Sequence, residues 1–129
     1  MPPTITFSPG SGKPFQVLIT PIWPTATKGG TAFSRDEIRS RVERNAQVAK
    51  SQAVESELPL KEIQGRSGSG FYFSAADRAP KPGEYKFLTQ GIILVGQLSV
   101  PFTILTNEGQ ELIVKQALNL IKGLAQGNN

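Results

Sequence analysis

Three stretches of this sequence hold side chains whose types and spacing suit recognition or catalysis. The first is Asp77-Arg78-Ala79-Pro80-Lys81-Pro82-Gly83-Glu84-Tyr85, which joins charges of both signs to two prolines and a tyrosine. Proline stiffens a loop before any partner arrives, which lowers the entropy lost on binding. Charges and an aromatic ring on such a loop suit recognition. The plainer reading is a connector in which Asp77 makes an Asx turn and Pro82-Gly83 a second turn. The second stretch is Gly65–Gly70, G-R-S-G-S-G. Phosphate-binding loops aim their N–H groups at the anion and start a helix behind them. Here the strand-like run Phe71-Tyr72-Phe73 follows, so the loop reads as a hairpin turn that uses glycine's freedom. Arg66 beside it can still hold an anion. The third stretch is the series Arg35, Arg39, Arg41, Arg44 and Lys50, interleaved with Asp36, Glu37 and Glu43. Mixed charge of this kind marks a solvated helix face, with a partner-docking face as the alternative.

Catalysis has little to draw on. The chain contains no histidine and no cysteine. That removes imidazole acid–base chemistry, thiolate nucleophiles, disulfides and cysteine or histidine zinc sites. The ten acids are scattered, no S-x-x-K is present, and no D-x-D-x-D-G loop supports a carboxylate site for Mg²⁺ or Ca²⁺. A hydrolase built on carboxylates and a metal is therefore the weakest of the readings kept, and no cofactor is expected. Nucleic acid is also an unfavoured partner. The net charge is +4, and the excess lies in the first 53 residues at about two charges per segment, which is small beside nucleic-acid binders. Tyr72, Tyr85 and Phe87 do lie near Arg66, Arg78 and Lys86, but Phe71, Phe73 and Phe102 fit a core better than a stacking platform.

The elements that must position these residues follow from periodicity. Thr4–Phe7 alternates as a half-buried strand does, and Pro9–Gly12 breaks it. Phe15–Ile22 is rich in β-branched and aromatic residues and reads as a second strand. Pro21 and Pro24 put its end at an edge or outside the sheet, with Trp23 between them and a small-residue loop at Thr25–Thr31. Ser34-Arg35-Asp36-Glu37 is a capping box. The helix it opens presents Ile38, Val42, Ala46, Ala49 and Ala53 and ends near Ala53–Glu55, its alanines implying close approach to what lies beneath. Leu58–Ile63 and Phe71–Phe73 read as a hairpin. Tyr85–Leu94 and Leu98–Thr106 form another, the second strand bulged or at an edge because of Pro101. A last helix, capped by Asn107 with Gln110, presents Ile113, Ala117, Leu120, Ile121 and Leu124 and stops at Gly123 or Gly127. The order is β-β-α-β-β-β-β-α. Consecutive strands with short connections favour a mainly antiparallel sheet of about six strands, with both helices on one face of it.

Gly70–Asp77, Glu84–Gly91 and Phe102–Asn107, followed by an amphipathic helix, resemble a group of small, uncharacterised, often exported bacterial proteins. The element order also resembles the PsbP-like family, which implies an antiparallel sheet flanked by helices and little about function. No residue role is carried over from either.

At 129 residues, 38% hydrophobic and 19% charged, the chain fits one folded α+β domain. No apolar run approaches the ~20 residues of a membrane span. A strand-like pattern beginning by Thr4, with no leader before it, raises the expectation of a removed upstream signal. The location would then be periplasmic or secreted, and otherwise cytoplasmic. The leading expectation is a non-catalytic binding or assembly domain that docks a protein on an open sheet face or on the loop of Asp77, Arg78, Lys81, Glu84 and Tyr85. The alternative is a carrier or sensor of a small apolar or anionic ligand, in a pocket lined by Trp23, Tyr72 or Arg66. Oligomeric state is left open.

Overall fold

A computed structural model of the chain describes residues 4–9, 12–23 and 33–125. The expected loop 25–31, and the expected roles of Pro24 and Gly127, lie outside these residues. Six strands and two helices form among the described residues: β1 (Ile5–Phe7), β2 (Gln16–Ile19), α1 (Arg35–Lys50), β3 (Lys61–Gln64), β4 (Ser69–Ala76), β5 (Phe87–Val95), β6 (Leu98–Thr106) and α2 (Glu111–Lys122). The strands make one sheet in the order β1-β2-β6-β5-β4-β3. Every neighbouring pair is antiparallel, so the fold is α+β.

The helices sit on opposite faces of that sheet, not on one. Side chains alternate across a strand, and the apolar residues change parity from β4 to β6. Phe71, Phe73 and Ala75 of β4 pack with Ile38, Val42 and Ala46 of α1. Val100, Phe102 and Ile104 of β6 pack with Ala117 and Ile121 of α2. The register pairs Ile92 with Pro101 and Ile93 with Val100, which puts β6's apolar set on the face opposite β4's. Strand β5 serves both layers, giving Ile92 to one cluster and Ile93 and Val95 to the other.

Helix α1 begins as its sequence directs. The Ser34 hydroxyl accepts from the Glu37 N–H at 3.1 Å, and the Glu37 carboxylate accepts from the Ser34 N–H at 3.1 Å. It ends at Lys50, short of Ala53–Glu55. The end of β4 competes for that segment: Ala53 bridges to Asp77, and Val54 N–H donates to the Ala76 carbonyl at 2.7 Å. Helix α2 starts at Glu111 with Gln110 as its N-cap residue. Asn107 does not cap it, because its side-chain oxygen accepts from the Lys86 N–H at 3.1 Å at the start of β5. The buried face of α2 centres on Ala117 and Ile121, with Val114 and Leu118 beside them, so Leu120 is left exposed.

Two strand expectations also change. Pro101 lies mid-sheet, between β2 and β5, in unbroken register. Its carbonyl accepts from the Thr20 N–H at 3.0 Å, so it forfeits only the reciprocal bond it cannot donate. Strand β2 stops at Ile19, just before that missing bond. Strand β1 is exposed along its length, with Ile5 at 47% and Phe7 at 44%.

Strands β4 and β5 approach so closely that a Cβ on Gly91 would stand 2.3 Å from the Phe71 carbonyl oxygen and 2.5 Å from the Tyr72 Cβ. Such contacts move the backbone. Gly91→Ala is therefore expected to lower stability by ~2–3 kcal/mol in urea denaturation. Ser34→Ala, which removes one cap bond, is expected to lower it by ~1 kcal/mol. Equal effects from the two would contradict the close strand approach.

Candidate functional site

Small residues open a hollow at one end of the sheet. Ala49 and Ala53, at and beyond the end of α1, face Ala75 and Ala76 of β4, with Leu88 of β5 and Leu105 of β6 as the floor. Alanines here do not close the gap between helix and sheet. They leave a cleft of about 410 Å³. The β4–β5 loop forms its rim through Asp77, Gly83, Glu84, Tyr85 and Lys86. Of the seven site residues expected from sequence, Asp77, Glu84 and Tyr85 thus meet at one site. Arg78 and Lys81 lie just outside it, in a second hollow with Asp77 and Glu84.

The loop's charges are mostly spent on the loop itself. The Asp77 carboxylate accepts from the Ala79 N–H at 2.9 Å, the Asx turn of the plainer reading. The Glu84 carboxylate accepts from the Lys81 N–H at 2.8 Å, and the Lys81 carbonyl accepts from the Glu84 N–H at 2.9 Å. Gly83, at φ +87°, supplies the left-handed residue that turn needs. Arg78 donates from its guanidinium to the Ser51 carbonyl at 2.7 Å, a cation on the C-terminus of α1, where the helix dipole favours it. Lys86 pairs with Glu108. These bonds make the rim stiff, and they leave Tyr85, Lys81 and the apolar walls to face a partner.

The remaining expected residues lie elsewhere. Arg66 sits in the β3–β4 turn at the opposite end of the sheet, where its N–H donates to the Lys122 carbonyl at 2.7 Å and so finishes α2. Trp23 is 50% exposed and follows Ile22, which bridges to Ser99 beside the β5–β6 turn, also at that far end. Neither lines the cleft, and neither does Tyr72. The cluster of helix bases is partly committed too: Arg35 pairs with Glu62, Arg39 pairs with Glu43, and both guanidiniums lie over the Phe71 ring.

Sequence reasoning missed the apolar half of the site. Leu88 and Leu105 are directly paired across β5 and β6. Counting back from a two-residue turn at Gly96-Gln97 would have placed them opposite each other. The tie that holds this end together was also missed. Gln110 accepts from the Asn107 N–H at 2.7 Å and donates to the Lys13 carbonyl at 3.4 Å, so β6, the β1–β2 loop and the start of β5 share one junction.

Among the described residues, no three acidic side chains gather to hold a metal ion, and no helix is long and apolar enough to cross a membrane. No family model matches this chain, and no curated protein or solved structure matches it either.

The bonding pattern separates local from global effects. Asp77→Ala frees the Ala79 N–H on an exposed loop. Its amide exchange is expected to rise about fivefold to tenfold while global stability falls by less than ~1 kcal/mol. Unchanged exchange at Ala79 would show that the Asx turn does not hold the rim.

Proposed function

We propose that this domain is a non-catalytic docking module, and that its site is the half of the α1-side sheet face that no described element covers, together with the cleft it runs into. The observation that carries this reading is the position of α1. The helix lies over β4 and β5, and no described element covers the same face of β6 and β2. There Leu18, Thr20, Ile22, Pro101, Thr103 and Leu105 form a half-buried strip without charge. The strip has α1 as a side wall and the stiff loop 77–86 as an end wall. A ledge of that shape suits an extended or helical segment of a protein partner. An apolar side chain would enter the hollow between Ala53 and Leu105, and the rim would contribute Tyr85 and Lys81. The resemblance to PsbP-like proteins belongs to this proposal, since that fold also sets helices against an antiparallel sheet.

A second reading is favoured by the size of the hollow. About 410 Å³ with largely apolar walls falls in the range of small-molecule sites, so a small apolar ligand would fit where the partner's side chain is placed.

Panning a displayed library of random peptides against the protein separates the two. Convergent peptides are expected, their amide shift changes centred on Leu105, Thr103 and Ala53, with at least ~10-fold weaker binding to Leu105→Arg. Peptides that bind Leu105→Arg equally well would overturn the docking reading. Shifts from a panel of small apolar compounds, with no peptide selected, would favour the second.

A further inference from the structure

The two edges of the sheet are built differently. Strand β3, at one edge, carries the exposed Lys61, Glu62 and Gln64, the charged guard that keeps an edge from pairing with other chains. At the other edge, the run Thr4-Ile5-Thr6-Phe7-Ser8 has no charge, and both of its large side chains are exposed.

The hydrogen-bond register shows what this edge offers. Thr20 and Ile22 donate their N–H groups toward β6, so alternate residues of the second strand, Val17 and Ile19, turn theirs toward β1. Their partners there are Phe7 and Ile5. It follows that the main-chain groups of Ile5 and Phe7 are used internally, while those of Thr4, Thr6 and Ser8 point away from the sheet. The side chains divide the other way. Ile5 and Phe7 share the α2 face with Val17 and Ile19. Beside them runs a mainly apolar groove lined by Phe7, Phe15, Val17, Ile113, Ala117 and Leu120, with Gln116 among them. Leu120, at the groove's rim, is 49% exposed.

We infer that this chain forms a two-fold dimer through β1, with a second copy as the occupant of the edge. An antiparallel strand is complementary to itself. With the two-fold axis at Thr6, Thr6 exchanges both main-chain bonds with its counterpart, and Thr4 exchanges both with Ser8 in each half. The same register places Ile5 opposite Phe7 of the other copy, on the α2 face. That buries the exposed pair and carries the second copy's side chains toward Leu120. No complementary charge is needed, and none is present on the strand. The inference does not depend on the docking ledge, which lies on the other face.

Sedimentation or light scattering of the whole chain tests it, from ~1 to ~100 µM. A species of twice the 13.9 kDa chain mass is expected. Thr6→Pro removes the central outward N–H but none of the bonds to β2. It is expected to weaken the dimer at least ~10-fold while circular dichroism stays unchanged. Should Thr6→Pro misfold, Phe7→Lys is the second variant, since that side chain is already 44% exposed, and the same loss is expected. Amide exchange supplies the internal control. Thr6 slows at least ~10-fold from low to high concentration, while Ile5 and Phe7 are protected throughout. A single-chain mass at ~100 µM, or a dimer indifferent to both variants, would overturn the inference.

Discussion

A six-stranded sheet is wider than a helix. At ~4.8 Å between neighbours its outer strands stand roughly 24 Å apart, whereas one helix covers about 10 Å. Two helices on a single face would nearly cover it and abandon the other. Here the hydrophobic sequence forbids that choice, because β5 is apolar on both sides, with Ile92 and Leu94 toward α1 and Ile93 and Val95 toward α2. One helix per face is the only arrangement of two that buries both sets. The same arithmetic leaves about half of each face without a helix. The ledge beside α1 and the bare β1 edge beside α2 both follow from this mismatch of widths.

What separates the two bare regions is their surface chemistry. The ledge mixes threonine with leucine, isoleucine and proline, and its Thr103 hydroxyl accepts from the Gln90 amide at 3.1 Å. Such a surface tolerates water and still offers apolar contact. The β1 edge instead exposes main-chain donors and acceptors beside Ile5 and Phe7, which is the combination that attracts another strand. A ledge of mixed polarity and an edge of open main-chain groups ask for different occupants, and strand alternation keeps the ledge and the exposed Ile5 and Phe7 side chains on different faces.

Much of this was legible in the sequence where local chemistry decides structure. The capping box at Ser34, the Asx turn at Asp77 and the glycine turn before Ser69 are short-range devices, and each forms where its residues stand. Long-range competition was not legible. Asn107 has the right chemistry for a helix cap but is claimed by Lys86, 21 residues away. Ala53 continues the α1 periodicity but is claimed by Asp77. Pro101 argues against a central strand on local grounds, yet one forfeited bond is outweighed by burying Val100 and Phe102 on either side of it. The candidate site shows the same division. Its charged rim was readable because turn chemistry is local, and its apolar floor was not, because Leu88 and Leu105 meet only through strand register. Of the rim side chains, Asp77, Arg78 and Glu84 are spent on holding the loop, so most of the part that was legible is scaffold, and only Tyr85 and Lys81 of it are left for contact.

The strand β1 also links the two faces in a way that bears on how they work together. Thr4 and Thr6 point to the ledge side, paired with Thr20 and Leu18, while Ile5 and Phe7 point to the α2 side. Pairing β1 with its own copy consumes the edge and the α2-side residues and leaves the ledge open. It would also set two ledges side by side, so that β1, β2 and β6 of each copy form one floor of six strands walled by two α1 helices. A floor of that width would accept a broader partner surface than one protomer can hold, and the two loops at 77–86 would mark its opposite corners. Because main-chain and side-chain directions alternate along a strand, the run 4–8 could serve the proposed assembly through its edge and α2 side while Thr4 and Thr6 stay with the ledge on the other.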